Sequence, residues 1–356
     1  MSNKKSGQIN YGLEYCIKTT LPIFTRSRVT FVLLFSFLMS VEKLTEFVTQ
    51  QQWRNTKDYT GVSDHQMHVQ LMTIQRQDSP VVKVLLGTFN VLAEVHMWWQ
   101  TGVRTDDKPL PSWYKLSDQP GLENTPLANP NNTGRRREAI VRMIEEFFGH
   151  DKSYPAVLCL QECSREIVDE VRARIPGLDI IEQFYEVNSR LVTLCQAVGS
   201  FGGTIHDASA IITPIEPNNF DRIYIANCHL DFATAKNEAF FDNLKRLFRF
   251  DQPILVIGDY NIPAMPISDK AKNEGSTKTI SEMINRHLVG KHHYRYDIAC
   301  HIDGFTNWNC RMNCVDPDAN ADHMDNILLL HDGSCDVTFT PLSTPDPGDW
   351  WKDPSQ

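Results

Sequence analysis

Residues 253–263 read Pro253-Ile254-Leu255-Val256-Ile257-Gly258-Asp259-Tyr260-Asn261-Ile262-Pro263. A continuous apolar, β-branched run bounded by turn residues is typical of a strand that is covered on both faces. Side chains two positions apart on an extended chain point the same way, so Asp259 and Asn261 are expected to converge at the strand tip. An ordinary Gly-Asp turn would show the same letters, because Asp and Asn tolerate turns. Further polar strand ends elsewhere in the chain would favour a functional site over an ordinary turn.

The composition is that of a globular protein. The chain has 356 residues, of which 41% are hydrophobic, and a formal net charge of −9. This charge argues against a protein that coats nucleic acid through a wholly basic surface, so any polyanion site must be local. Nine cysteines, an odd number in a chain too large to need disulfides, favour reduced thiols. Structural zinc at Cys310 and Cys314 is less favoured, because no second pair stands at the usual zinc-ribbon distance.

Residues 1–78 differ in character from the remainder of the chain, and we expect them to form an extension ahead of a domain spanning 79–356. Val29 to Val41 is an apolar run of 13 residues, shorter than the about 20 that a membrane-spanning helix needs. It fits a membrane anchor or a docking helix better than a cleaved signal peptide. We favour the cytoplasm as the location, and membrane association or export are the alternatives. Residues 50–78 are polar and rich in Gln, and are predicted to form a linker or excursion.

Three further apolar runs are predicted to be strands, at residues 81–90, 156–162 and 222–230. They end in the polar side chains Asn90, Glu162, and the pair Asn227 and His229. Four polar tips in one α/β chain indicate a site assembled from strand ends, where open sheets bind ligands. Carboxylate and carboxamide oxygens suit Mg²⁺ or Mn²⁺. An imidazole beside them suits a phosphoryl oxygen.

Arg135-Arg136-Arg137 precede a helical pattern with Ile140 and Ile144 on one face. A solvated helix start is the common reason for such a run. Cations at a helix N-terminus oppose the helix dipole, however, so these arginines are also candidates to hold a phosphate. The non-periodic segment 97–134 is predicted to set substrate specificity.

The ordered motifs resemble those of a known superfamily. Phe89-Asn90-Val91-Leu92, Leu160-Gln161-Glu162, Asn227-Cys228-His229-Leu230 and Gly258-Asp259-Tyr260-Asn261 are similar, in order and spacing, to the N, Q-E, H-L and G-D-x-N motifs of the endonuclease/exonuclease/phosphatase superfamily. Met324-Asp325-Asn326-Ile327-Leu328 resembles its late I-D-Y-I-L strand. The resemblance covers about residues 81–342 and is greatest in style to the deadenylase, nocturnin and Angel branch. It implies an α/β fold, a four-layer sandwich of two facing mixed sheets flanked by helices, and a divalent-metal phosphoester hydrolase.

The resemblance also implies a role for each motif residue. Glu162 would be the main Mg²⁺ or Mn²⁺ ligand, with Asn90 adjacent. Asp259 would orient or deprotonate the attacking water, Asn261 would help to fix water and phosphate, and His229 would donate to a non-bridging oxygen. Substrate contacts are expected from Asn227, Arg135, Arg136 and Arg137.

The C-terminus departs from the family pattern. The family ends with Ser-Asp-His, whose histidine pairs with the aspartate at the position of Asp325. At that distance this chain reads Pro347-Gly348-Asp349-Trp350-Trp351, so Asp349 fits the metal-side acid and Trp350 stands in the place of the histidine. Either the upstream Asp322-His323 forms the final motif, with Asp322 as a metal ligand, or the histidine is lost and the enzyme is slow or inactive. We favour the first account.

Three functions are compatible with these observations. The favoured one is a Mg²⁺-dependent phosphodiesterase acting on RNA or another single-stranded nucleic acid, held by charge and stacking. The second is a phosphatase or a sphingomyelinase-like enzyme acting on a phosphorylated lipid, with membrane contact through residues 29–41. The third is a pseudoenzyme that keeps the fold as a binding module, motivated by Trp350.

Overall fold

The computed structural model describes residues 63, 65, 67–77, 79–94, 133–149, 153–186, 189–199, 205–207, 210–217, 220, 222–230, 234–247, 252–261, 284–286, 295–299, 307–308, 321–322 and 325–342. The chain divides into Met1–Asp58 and Tyr59–Gln356, and every described residue belongs to the second unit. The apolar run at 29–41, Cys310, Cys314 and most of the segment 97–134 lie outside the described residues. None of the described helices is long and apolar enough to cross a membrane.

The first sheet has six strands and is mixed. In spatial order they are β14 (Cys335–Leu342), β1 (His68–Arg76), β2 (Val82–Asn90), β3 (Ala156–Cys163), β5 (Ser189–Gln196) and β4 (Asp179–Glu186). β2 and β3 run parallel, whereas the other neighbours are antiparallel. The strands predicted at 81–90 and 156–162 are therefore neighbours whose carboxyl ends lie side by side.

The second sheet has the same plan. Its order is β10 (Arg295–Ile298), β13 (Asp325–His331), β9 (Ile254–Asp259), β8 (Ile223–His229), β7 (Ala210–Ile215) and β6 (Ile205–Asp207). Here β8 and β9 form the parallel pair. The short strands β11 (Asn307–Trp308) and β12 (Ala321–Asp322) pair with each other. The strands predicted at 222–230 and 253–259 are thus also parallel neighbours.

The layers follow from alternate burial on the strands. On β3, Leu158 and Leu160 belong to the core beneath helices α1 (Thr133–Gly149) and α2 (Arg165–Arg174), whereas Val157 and Cys159 belong to the core between the two sheets. The second sheet packs its outer face on α3 (Thr234–Leu247). Both sheets are covered on both faces, which explains the continuous apolar runs. The predicted four-layer α/β sandwich is confirmed.

β1 corrects the prediction that residues 50–78 form a linker. The strand lies between β14 and β2 and pairs with both. Its inward-facing positions are His68, Gln70, Met72 and Ile74, all of them buried. Two of these four are polar, so β1 lacks the alternation of apolar and polar residues by which a strand is recognised in a sequence. The first sheet therefore begins well before Val81.

The cysteines agree with the expectation of reduced thiols as far as they are described. Cys159, Cys163, Cys195, Cys228 and Cys335 are free and buried. Burial raises the pKa of the Cys159, Cys195 and Cys228 thiols well above the ordinary value, so these side chains are neutral components of the core.

Candidate active site

The tips of strands from both sheets meet at Asn90. Its Nδ2 donates to Glu162 Oε1 at 3.1 Å and to Asp259 Oδ2 at 2.9 Å. Asn90 is 1% exposed, and its Oδ1 accepts a hydrogen bond from the Leu92 N–H at 2.9 Å. One carboxamide thus joins the end of β2 to the end of β3 and, across the sandwich, to the end of β9. The convergence predicted from four polar strand tips is present here.

Glu162 reaches this point because β3 is irregular. The pairing of β3 with β5 shifts register between Leu160 and Cys163, and Glu162 has a φ of 53°. Positive φ is uncommon outside glycine, and a bulge of this kind redirects a side chain. Glu162 Oε2 accepts from the Ala93 N–H at 3.0 Å, so the carboxylate also holds the loop after β2.

Asp259 and Asn261 lie together as the sequence predicted, although not by simple strand alternation. The chain turns after Asp259, and Asn261 has a φ of 49°. The Asn261 N–H donates to Asp259 Oδ1 at 2.8 Å, and Asn261 Nδ2 donates to the Leu230 carbonyl at 2.8 Å. Asn tolerates this left-handed conformation better than most residues. The turn therefore fixes the Asp259 carboxylate and the end of β8 together.

His229 lies between two of the carboxylates. Its Nε2 is 3.6 Å from Glu162 Oε1 and 3.6 Å from Asp259 Oδ2. The side chain is 14% exposed, which makes it more open to solvent than Asp259. The imidazole is thus placed to meet a group that enters from outside.

His65 completes the cluster, and sequence reasoning missed it. Its Nδ1 lies 2.7 Å from Asp325 Oδ2, and its Nε2 lies 3.8 Å from Asp259 Oδ2. Ser63 fixes the approach of this segment, because its hydroxyl accepts from the His65 N–H at 3.2 Å and donates to the Asn90 carbonyl at 2.7 Å. Asp325 and Asp259 are direct partners in the antiparallel pairing of β13 and β9.

A signal for His65 was present in the sequence. Residues 63–65 read Ser-Asp-His, the letters expected at the end of the chain, but they stand before β1. Because β1 lies between β14 and β2, a histidine at its start reaches the same place as one positioned after β14. A histidine therefore does lie beside Asp325, contrary to the alternative in which it is lost.

The place beside Asp325 that we assigned to His323 is taken by His65. His323 and Asp349 lie outside the described residues, as does Asp64, and Asp322 lies in β12. The metal-ligand roles of Asp322 and Asp349 stay predictions.

Asn227 corrects a predicted substrate contact. It is fully buried, and its Oδ1 accepts from Gln161 Nε2 at 2.9 Å. Its Nδ2 donates to the Val192 carbonyl at 3.0 Å and to Thr193 Oγ1 at 3.2 Å. The first sheet covers β8 at this point of the sandwich. The Asn227 carboxamide therefore joins β8 to the first sheet and does not face a substrate.

The three arginines have different surroundings. Arg136 is 2% exposed and donates to the Val91 and Leu92 carbonyls, which corrects its assignment as a substrate contact. A buried guanidinium needs such acceptors, and these hold the loop after β2 on α1. Arg137 is partly exposed and lies 3.5 Å from Glu94 Oε1. Arg135 is half-buried at the start of α1. Only these two have the exposure that a phosphate contact requires.

The donor set fits a divalent cation. Glu162, Asp259 and Asp325 bring three buried carboxylates to one place, and their basic neighbours include His65 and His229. Burying several carboxylates together costs free energy unless positive charge offsets it. Ligand atoms of His65, Asp259 and Asp325 lie within 4.8 Å of one another. However, the contact of 2.7 Å between His65 and Asp325 is a hydrogen bond that uses two of these atoms.

No model of a known protein family matches the sequence, and no curated protein sequence matches it significantly. Among solved structures, the chain is similar to an endonuclease/exonuclease/phosphatase from Bacteroides vulgatus, with 11% identity, a TM-score of 0.41, and coverage of 62% of this chain and 95% of that one. It is similar to ANGEL2, described as a 2',3'-cyclic phosphatase, with 14% identity, a TM-score of 0.42, and coverage of 82% and 93%.

A third similar structure is D. rerio TDP2 in complex with a single-strand DNA product, with 14% identity, a TM-score of 0.34, and coverage of 56% and 78%. The identities are 11–14% and all three TM-scores are below 0.5, so these likenesses assign neither family nor function. The resemblance to the endonuclease/exonuclease/phosphatase superfamily is carried by the ordered motifs of the sequence, and the two facing mixed sheets agree with the fold that this resemblance implies.

Proposed function

We propose that this protein is a divalent-metal-dependent phosphoester hydrolase that acts on RNA or another single-stranded nucleic acid. The observation that carries the proposal is the meeting of Glu162, Asp259 and Asp325 with His65 and His229 at the ends of strands from both sheets. Hydrolysis of a phosphate ester needs a base for the water, donors for the phosphoryl oxygens and a compensating cation. These side chains supply the first two and can hold the third.

Asp259 is placed to receive the proton of the attacking water. Its Oδ2 accepts from Asn90 and its Oδ1 from the Asn261 N–H, so the carboxylate is fixed before substrate arrives. A base held in a single orientation needs no reorganisation in the transition state. Asn261 fixes this carboxylate through its N–H, and in this proposal it also helps to place the phosphate.

His65 and His229 are placed to donate to the phosphoryl group. Asp325 binds His65 through Nδ1, which leaves Nε2 directed towards the side of Asp259. A carboxylate behind an imidazole fixes the ring and stabilises its protonated form. His229 approaches the same oxygen from β8: Asp259 Oδ2 lies 3.8 Å from His65 Nε2 and 3.6 Å from His229 Nε2.

Glu162 and Asn90, the metal ligands that the family resemblance implies, are the residues that would hold the cation. Their oxygens each accept a hydrogen bond and have a further lone pair to offer. A bound Mg²⁺ or Mn²⁺ would neutralise charge that develops on the phosphoryl oxygens. Arg135 and Arg137, at the start of α1, would contact the nucleic-acid backbone. The presence of His65 argues against the pseudoenzyme, which was motivated by the missing histidine.

The test uses the purified full chain with Mg²⁺, Mn²⁺ or EDTA. The substrates are poly(A) RNA, RNA ending in a 2',3'-cyclic phosphate, single-stranded DNA, a phosphoinositide and sphingomyelin. We expect metal-dependent turnover of RNA, lowered at least about 100-fold in Asp259→Asn and Glu162→Gln. Turnover of a lipid instead would favour the phosphatase or sphingomyelinase-like alternative. No metal-dependent turnover of any substrate, or turnover that neither substitution changes, would overturn the hydrolase proposal.

A further inference from the structure

Beside the site, polar contacts between facing strands join the two sheets, and three of them lie on successive strands of the first sheet. Each contact links one strand of the first sheet to one strand of the second: β1 to β13, β2 to β9 and β3 to β8. The pairs are His68 with the Asp325 carbonyl, Asn90 with Asp259, and Gln161 with Asn227. The last two contain residues of the predicted motifs. His68 belongs to none of them.

His68 occupies a position where an apolar residue would cost less. It is 1% exposed and points inwards from β1, as do Met72 and Ile74 further along the strand. A polar group at such a site lowers stability unless its hydrogen bonds are satisfied. His68 Nδ1 lies 3.3 Å from the Asp325 carbonyl oxygen, and its Nε2 lies 2.7 Å from Gln70 Nε2.

The contact with Asp325 places a hydrogen on His68 Nδ1, because a carbonyl oxygen can only accept. Gln70, which is fully buried, turns its amide towards His68 Nε2. With the amide nitrogen facing the ring, both contacts are satisfied by neutral His68 with its hydrogen on Nδ1.

We infer that His68 is a positioning residue that holds the main chain of Asp325 so that its carboxylate meets His65. The inference rests on the proposed function. His65 and His68 stand three residues apart and bind the two polar ends of one residue: His65 binds the carboxylate and His68 binds the carbonyl. The segment that supplies the imidazole of the site thus also fixes the aspartate that orients it.

The test compares His68→Asn, His68→Gln and His68→Leu. The Asn Nδ2 stands near the place of the His Nδ1, whereas the Gln Nε2 stands near the place of the His Nε2. We expect His68→Asn to keep kcat within about threefold of the unsubstituted protein. His68→Gln and His68→Leu should lower kcat at least about tenfold, because small displacements of a reacting group are costly, and should change KM less than about twofold. Thermal unfolding of all three variants reports any loss of fold.

A second readout does not depend on activity. In ¹H–¹⁵N spectra of the histidine side chains, His68, assigned by its absence from His68→Asn, should have a protonated Nδ1 and an unprotonated Nε2. The downfield proton of His65 Nδ1, which is hydrogen-bonded to Asp325, should remain in His68→Asn and shift or broaden in His68→Gln.

A His65 signal unchanged in His68→Gln, a hydrogen on His68 Nε2 alone, or a folded His68→Asn as slow as His68→Gln would overturn the inference. If no substrate is turned over by the unsubstituted protein, the proposed function fails, and the spectra still decide whether His68 positions Asp325.

Discussion

His65 Nδ1 lies 2.7 Å from Asp325 Oδ2, although 260 residues separate the two along the chain. The contact forms because β1 lies in the first sheet, β13 lies in the second, and both have an end at the same edge of the sandwich. Asp325 is fully buried, so its carboxylate needs such a partner. The contact therefore serves the fold and orients an imidazole at the site.

The first prediction concerns His65 itself. Replacing His65 by Ala removes the imidazole that Asp325 orients, and we expect kcat to fall about 10²–10⁴-fold, the range for loss of a general acid or base. The measurement is steady-state turnover of the best nucleic-acid substrate with Mg²⁺. His323→Ala, which tests the residue predicted for this role, should retain activity.

His331→Asn is the matched control. His331 is also buried, and its Nε2 lies 2.9 Å from Asp297 Oδ2, but it stands at the other end of β13. We expect normal turnover from this variant. If His65→Ala were fully active and His323→Ala inactive, the assignment of His65 would be wrong.

The second prediction concerns strand order. Val69, near the start of β1, pairs with Leu342 at the end of β14, so these two ends of the sheet are adjacent. In a rearranged chain, residues 79–356 come first, after a new Met, and residues 59–77 follow Gln356 directly. We expect this chain to fold and to keep its activity. The segment then comes after β14 in the chain. Circular dichroism and turnover test this, and an insoluble product would contradict it.

The control for the rearrangement is the same chain, from Met-Ser79 to Gln356, without the relocated residues 59–77. This removes β1, which has a neighbour on each side. Its loss leaves β14 and β2 without their shared partner, so this variant should not fold.

The third prediction concerns Gly258 in the G-D-x-N motif. A Cβ at this position would lie 1.9 Å from the Cys228 carbonyl oxygen, and φ is 151°. Gly258→Ala must therefore separate β8 from β9, and we expect a loss of at least about 3 kcal/mol in the free energy of unfolding. Urea titration measures it. Gly134→Ala meets nothing within 4 Å and should stabilise the exposed start of α1 by up to about 1 kcal/mol.

The fourth prediction concerns pH and the contact between α1 and α2. Arg174, the larger cause, and Arg142 together lower the pKa of Glu138 from 4.5 to about 2 through hydrogen bonds and charge. Arg174 Nη1 lies 2.9 Å from Glu138 Oε1. Because the folded-state pKa is the lower one, the stabilisation is present above about pH 4.5 and is lost as pH falls towards 2. The side chains are partly exposed, so we expect about 1 kcal/mol.

Glu138→Gln should therefore lower the free energy of unfolding at pH 7, and the difference from the unsubstituted protein should be about halved or smaller by pH 3. Urea unfolding at both pH values measures this. Glu146→Gln, an exposed position on the same helix, should show no such difference. A constant difference between pH 7 and pH 3 would show that the pair does not titrate in this range.

Local patterns were enough to predict the parallel strands and their polar tips. An apolar run ending at Asn90, Glu162, His229 or Asp259 specifies a buried strand and its last residue without reference to distant parts of the chain. The glycine before Asp259 is also part of a short motif that can be recognised in the sequence. The reason that it must be glycine is tertiary, because β8 approaches its main chain closely.

The direction of a polar side chain was not predictable in this way. Asn227 and Arg136 carry the chemistry of substrate contacts, yet the facing sheet covers one and the loop after β2 accepts from the other. Whether a strand-end or helix-start residue is exposed depends on what packs over it, which the segment itself does not encode.

The sequence by itself determined the α/β class, the strand tips and the carboxylates Glu162, Asp259 and Asp325, because these depend on short-range periodicity and on motif letters. Only the tertiary structure decided which histidine meets Asp325. Ser63 and His65 precede a strand whose inward positions include His68 and Gln70, so its periodicity is concealed. Its place between β14 and β2 depends on pairing between segments far apart in sequence, which no local pattern specifies.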